Sequence, residues 1–355
     1  NRTNEDNLLK ILVMHTSATT GFLRYFKELY ASCDCPARRE AAPVFLPCKK
    51  TRFSGGPSLA GGAKSPAASP KTFSFRSRCM QDRISLGISS CPNDTYIFHA
   101  LLEGLVPLPC GVDLHMADVE ELNALALAGT LDVTKLSVGV VPGIMDRYAL
   151  LHSGAALGWG CGPLVVAREP LSEAALRSAR VAIPGRRTTA NLLLELHGGF
   201  QGPREEMIFD AVIPAVAEGR ADCGVIIHEG RFTYARHGLC RLLDLGEWWE
   251  GRFAVPLPLG AIAARRDLDR ETALAVQEAI RASLRYADEH PEASREFVRR
   301  HAQEMDPAVT ADHIKTFVTE YSLDLGKQGR EAIELLVGRA VARAGGTLPA
   351  TGLFL

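Results

Sequence analysis

From residue 83 onward, short apolar runs alternate with segments whose apolar positions recur every three or four residues. Residues 84–88 predict a strand, and the loop SSCPNDT follows, with Asn93 or Asp94 capping a helix that runs to about Leu102. Residues 112–117 predict a second strand. Asp118 caps a helix over 119–128, closed by Gly129. Residues 131–136 read as a strand leading into Lys135, Leu136 and Ser137. A helix through Tyr148 is expected next, then strands over 149–157 and 163–167.

A second alternating set begins after Arg168. It reads as a helix over 172–177, a strand over 180–183 and the turn PGRRTT, with Thr188 or Thr189 capping a helix to Leu196. A strand over 206–210 and a helix over 212–218 lead to ADCGVIIHEGRFTY, residues 221–234. There Cys223, Val225, Ile226 and Ile227 form a nearly continuous apolar run, as in a strand covered on both faces, and the run stops at His228. Strands over 239–245 and 258–264 come last. From Asp269 the chain reads as helical, with Val276, Ile280, Leu284 and Ala287 at helical spacing, and further helices near 308–322 and 327–344.

Alternation of this kind is α/β. It fits two lobes with an interdomain cleft, the chain crossing near Arg168 and again near Phe253. The expected division is 83–168 plus 254–355 for a larger lobe and 169–253 for a smaller one. Residues 1–79 differ: residues 41–79 are rich in Pro, Gly, Ser, Ala, Lys and Arg, as in GGPSLAGGAKSPAASPK. Such a segment buries too little apolar surface to offset its ordering entropy. It is expected to be a disordered or non-native extension, with a targeting peptide as the rival reading.

Charge sharpens that division. Residues 1–79 hold 13 Lys+Arg against 5 Asp+Glu, whereas 80–355 hold 27 against 36. The main body is therefore mildly acidic and offers no basic face for nucleic acid. No apolar run is long enough to span a membrane. Nine cysteines without CxxC spacing point to reduced thiols and a cytoplasmic protein.

Each candidate group has a functional and a structural reading. His228, at a buried strand end, is a general base or a core histidine bonded to a carbonyl. Thr188, Thr189 and Ala190 open a helix whose first amides suit a carboxylate or phosphate, or they form an ordinary cap. Lys135 and Ser137 could hold an anion, although a solvated lysine is commoner. Cys91 sits where a helix N-terminus lowers a thiol pKa, but no histidine is its obvious partner. Its turn, with Asn93 and Asp94, reads first as a Pro-turn that walls the cleft. GWGCG and PGRRTT fit neither a dinucleotide loop nor a P-loop. His228, His237 and Cys240 lack zinc spacing. The other histidines, His313 among them, have no companions at ligand spacing and read as structural or surface residues.

Together SSCPNDTYIFHAL, TKLSVG, GPLVVAR, PGRRTTA, GVIIHEGRFTY and PLPLGAIAAR resemble the 1,4-dihydroxy-6-naphthoate synthases of the futalosine route to menaquinone. The resemblance runs from about Arg83 to near the C-terminus. It implies the two-lobed, periplasmic-binding-protein-like (type II) fold working inside the cell. It implies a cofactor-independent carbon–carbon/carbon–oxygen lyase acting on cyclic dehypoxanthinyl futalosine, a small-molecule carboxylate, with no metal. The histidine of the IHE motif, His228, is then the base. Lys135, Leu136, Ser137, Thr189 and Ala190 match the ligand-contacting segments. The other readings are a small-anion solute-binding protein and the chorismate dehydratase of the same route, against which the CPNDT and IHEGRFTY motifs argue.

Overall fold

The computed structural model describes residues 82–301 and 306–355; the extension expected over 1–79 lies outside the described residues. The first set of elements is β1 (Arg83–Ile88), α1 (Pro92–Leu102), β2 (Gly111–Met116), α2 (Val119–Ala128) and β3 (Val133–Ser137). A 3₁₀ turn (Val138–Gly143), β4 (Tyr148–Leu150) and β5 (Ala156–Gly158) follow. The second set is β6 (Leu164–Ala167), α3 (Glu173–Ser178), β7 (Val181–Ile183), α4 (Thr189–His197), β8 (Arg204–Glu206), α5 (Val212–Ala217) and β9 (Cys223–Ile226). It continues with α6 (Gly230–Thr233), β10 (Cys240–Asp244) and α7 (Leu245–Phe253). The chain returns as β11 (Leu257–Arg265), then α8 (Arg270–Glu289), α9 (Pro291–His301), α10 (Pro307–Phe317), α11 (Glu320–Leu323) and α12 (Gly326–Arg343).

Two sheets result. The first has the order β2-β1-β3-β11-β4, with β5 also on β11; the second has the order β10-β6-β9-β7-β8. In the first, β1 runs parallel to β2 and β3, and β11 lies antiparallel on β3 with Gly260 opposite Ser137. In the second, β7 runs parallel to β8 and β9, and β6 lies antiparallel on β9 with Leu164 opposite Ile226. The two lobes therefore share one plan: three parallel strands, then an antiparallel neighbour that begins where the parallel strands end.

Each sheet is buried by helices. Ile84, Leu86 and Ile88 of β1 pack with Ile97 and Phe98 of α1 and with Val276, Ile280 and Leu284 of α8. In the second lobe Val166, Ala182 and Ile226 pack with Val212, Ile213 and Val216 of α5. Full burial of one such side chain stabilises by roughly 1.5–3 kcal/mol, so both sheets are anchored independently of the cleft between them.

Several expectations need correction. Residues 163–167 were expected in the first lobe, but β6 pairs with β9 and β10, so the first crossing lies between β5 and β6, within GWGCGP, rather than near Arg168. Val138–Gly143 is a 3₁₀ turn rather than part of a helix through Tyr148, because two glycines and Pro142 cannot sustain an α-helix. The strand over 149–157 divides into β4 and β5 around Gly154, which has φ +81°. Cys91, not Asn93 or Asp94, is the N-cap of α1, with Pro92 at the first helical position. The strand expected over 206–210 is instead β8, which begins two residues earlier, ends at Glu206 and lies at the sheet edge. Residues 308–322 divide where Val318 is extended and Thr319 caps α11. Helix α7, not anticipated, is capped by Asp244, which accepts from the amides of Gly246 and Glu247. Among the described residues no helix is long and apolar enough to cross a membrane.

Candidate active site

The parallel strands of both sheets end at one cleft, and the antiparallel strands begin there. This is the switch-point position at which open α/β sheets place ligands. The cavity there is lined by Asn93, Lys135, Leu136 and Ser137 from the first lobe, and by Thr188, Thr189, Ala190 and His228 from the second. Eight of the residues singled out from sequence thus meet around one space. The other two stand directly behind them: Asp94 against Lys135, and Cys91 against His228.

The cavity volume is about 80 Å³. Pockets for drug-sized ligands measure roughly 300–1,000 Å³. The lobes are therefore drawn together, and contacts cross between them. Thr189 Oγ1 accepts the Gly139 N–H at 3.0 Å and donates to the Leu259 carbonyl at 2.6 Å. Gly139 is required at this approach, since a Cβ there would lie 2.8 Å from the Thr188 carbonyl oxygen. Arg187 pairs with Glu120 at 3.0 Å across the same boundary.

His228 follows β9 in a left-handed conformation, with φ +53°. An L-residue holds that conformation at a cost of roughly 1–2 kcal/mol, and here it turns the imidazole out of the strand and into the cleft. The ring stands edge-on to Phe209, with centroids 4.9 Å apart. Burial, with the Lys135 charge second and Asp94 opposing, brings its pKa down to about 4. At neutral pH the imidazole is therefore uncharged and able to accept a proton.

Cys91 Sγ lies 3.4 Å from His228 Nδ1, which supplies the histidine partner that sequence reasoning did not find. The helix N-terminus does not lower the thiol pKa. Burial, and then Asp94, push it up, so the group is a neutral thiol and not a nucleophile.

Lys135 is buried rather than solvated and forms an ion pair with the fully buried Asp94. Asp94 also accepts from Ser89 Oγ at 2.7 Å, the Ser89 amide at 3.1 Å and Asn93 Nδ2 at 2.8 Å. The lysine charge is thus largely committed to the protein. Ser137 is set by Asn123, which accepts its amide N–H at 2.8 Å and donates to its Oγ at 3.1 Å, leaving the hydroxyl proton to donate elsewhere. Thr188 is the N-cap of α4: it accepts the Asn191 amide at 3.2 Å and donates to the Gly185 carbonyl at 2.8 Å.

Sequence reasoning missed other lining residues. Arg231, on α6, pairs with the fully buried Asp244 at 3.0 Å and donates to the Gly162 carbonyl. It lay within the motif that carries His228, so that segment supplies a second cavity residue besides the histidine. His313 was read as a structural or surface histidine; it lines the cavity, and its ring lies perpendicular to that of His228 with centroids 5.9 Å apart. No local signal marks it, because 85 residues separate it from His228 along the chain. Among the described residues there is no cluster of three or more His, Cys, Asp or Glu able to hold a metal ion.

A family profile described as menaquinone biosynthesis matches residues 84–342. A 1,4-dihydroxy-6-naphthoate synthase of Thermus thermophilus is 49% identical over 262 residues, covering 74% of this chain and 95% of its own length. One of Streptomyces coelicolor is 46% identical, covering 76% of this chain and 96% of its own. The chain belongs to this family. A crystal structure of an Archaeoglobus fulgidus protein, 32% identical, superposes with a TM-score of 0.70 over 74% of this chain and 98% of that one. The alkanesulfonate-binding protein SsuA of Xanthomonas axonopodis, bound to MOPS, is 14% identical with a TM-score of 0.57, over 77% and 96% of the two chains. The fold is thus the two-lobed one of the periplasmic binding proteins.

Proposed function

We propose that this member of the menaquinone-biosynthesis family is a lyase that converts cyclic dehypoxanthinyl futalosine to 1,4-dihydroxy-6-naphthoate, with His228 as general base. The observation that carries this reading is the neutral imidazole of His228, turned by its left-handed backbone into a cleft that also holds the N-terminus of α4. The near half of the substrate bears an aromatic carboxylate. The first amides of α4 have no partners within the helix, and its dipole favours a negative charge there. Ser137 adds a hydroxyl donor on the facing lobe.

With the carboxylate held at α4, the sugar-derived ring extends toward His228. The imidazole removes a proton from that ring, carbon–oxygen and carbon–carbon cleavage follow, driven by aromatisation, and the sugar-derived carbons leave as a separate small product to which the imidazolium returns the proton. The lobes part to admit the substrate and close on it, which excludes water and holds the ring against the base. Cys91, a neutral thiol at Nδ1, fixes the imidazole rather than attacking the substrate.

The test is His228→Asn assayed with the futalosine-derived substrate. Asparagine adopts the left-handed conformation readily, so the turn survives the change. Turnover is expected to fall by roughly 10²-fold or more, with KM little changed. Near-normal turnover rejects His228 as the base. Tight binding of substrate by the wild-type protein without any product rejects the lyase reading in favour of a binding protein.

A further inference from the structure

His313 has no part in the chemistry assigned to His228, yet it occupies the same end of the cavity. It lies on α10 of the first lobe, 1% exposed, against the Phe317 ring at 4.6 Å and the His228 ring at 5.9 Å. Neither Nδ1 nor Nε2 has a hydrogen-bond partner among the described residues. A neutral imidazole carries one donor and one acceptor, and burying both without partners is destabilising. A phenyl ring such as that of Phe317, one turn on, would fill similar space without that cost. His228 and His313 belong to opposite lobes, so their rings meet across the boundary between the lobes.

We propose that His313 is a ligand-contacting residue that hydrogen-bonds a hydroxyl or carbonyl oxygen of the hydroxylated, sugar-derived ring of the substrate, on the face opposite His228. This rests on the lyase reading above. Burial holds the His313 ring neutral, and the nearby Lys135 charge acts in the same direction. It therefore acts as a fixed hydrogen-bonding group that selects and orients the ring, while His228 takes the proton. The product lacks that ring and does not engage His313.

The experiment compares His313→Phe, His313→Gln and His313→Asn with the wild-type protein, measuring substrate KM, kcat, inhibition by 1,4-dihydroxy-6-naphthoate and melting temperature. His313→Phe is expected to melt at or above the wild type and to raise substrate KM at least tenfold, with product inhibition changed less than twofold. The amide of Gln reaches the Nε2 position and that of Asn the Nδ1 position, so one of them recovers most of the loss and identifies the contacting nitrogen. Equal weakening of substrate and product, no weakening of either, or recovery by neither amide overturns the proposal; a water as the only partner of the ring gives the second of these. A wild-type protein that neither binds nor converts the substrate overturns the lyase reading and this proposal together, and wild-type turnover separates that outcome from a failure of His313 alone.

Discussion

The two lobes repeat one topology, and the helix after the first parallel strand begins differently in each. In the first lobe, α1 carries an acid in its own first turn: Asp94 lies at the helix N-terminus, accepts from Ser89 and Asn93, and pairs with Lys135. In the second lobe, α4 has no acid in its first turn, and Thr188, Thr189 and Ala190 face the cavity. A helix N-terminus attracts one negative charge. The first lobe supplies that charge from its own sequence, whereas the second leaves the place for a ligand. On the proposed reading, Lys135 belongs to the protein's own ion pair and the substrate carboxylate goes to α4. Arg231 follows the same rule, since its charge is set against the buried Asp244.

The largest expected effect tests the first half of that comparison. Lys135→Met leaves Asp94 buried without its counter-charge and should destabilise the protein by about 3–5 kcal/mol in denaturant unfolding. Adding Asp94→Asn should restore much of that loss. Wild-type stability with only a raised KM would return Lys135 to the role of carboxylate ligand.

Next in size is the response to acid, which contrasts the paired charges of the first lobe with the neutral imidazole of the second. The folded-state pKa of His228, about 4, lies below its ordinary 6.5. Between those values the unfolded chain binds the proton and the folded one does not. The His228 contribution to stability is therefore complete above pH 6.5 and is lost as the pH falls to 4, by up to about 3 kcal/mol. The acidic limb of kcat/KM should likewise fall near pH 4. A limb near 6.5 would mean that the imidazole is solvated rather than buried.

The smallest effect gives the second lobe what the first already has. Ala190→Asp places a carboxylate at the N-terminus of α4. It should raise KM by about tenfold, roughly 1.4 kcal/mol, through loss of the anion site. An unchanged KM would place the substrate carboxylate elsewhere.

Much of the fold was legible because its signals are local. Asp118 and Gly129 bound α2 as their residue types require, and Thr188 caps α4. The apolar run ending at His228 is a buried strand whose end opens on the cleft. What failed depends on pairing between distant segments. Residues 164–167 read as a strand in either lobe, and only their register with Cys223–Ile226 decides which. The ion pair of Lys135 with Asp94 was not legible either, because the two residues lie 41 positions apart along the chain.

The sequence by itself determined the alternation of strands and helices, the caps, and the motifs that place the chain in its family. These follow from residue type at short spacing, which the backbone obeys wherever it is in space. Only the tertiary structure decided which groups are charged, which are neutral and which lack a partner. Burial and proximity settle those states, and both arise when segments remote in the chain meet. So His228, Cys91 and His313, scattered along the sequence, become one cluster at the same end of the cleft.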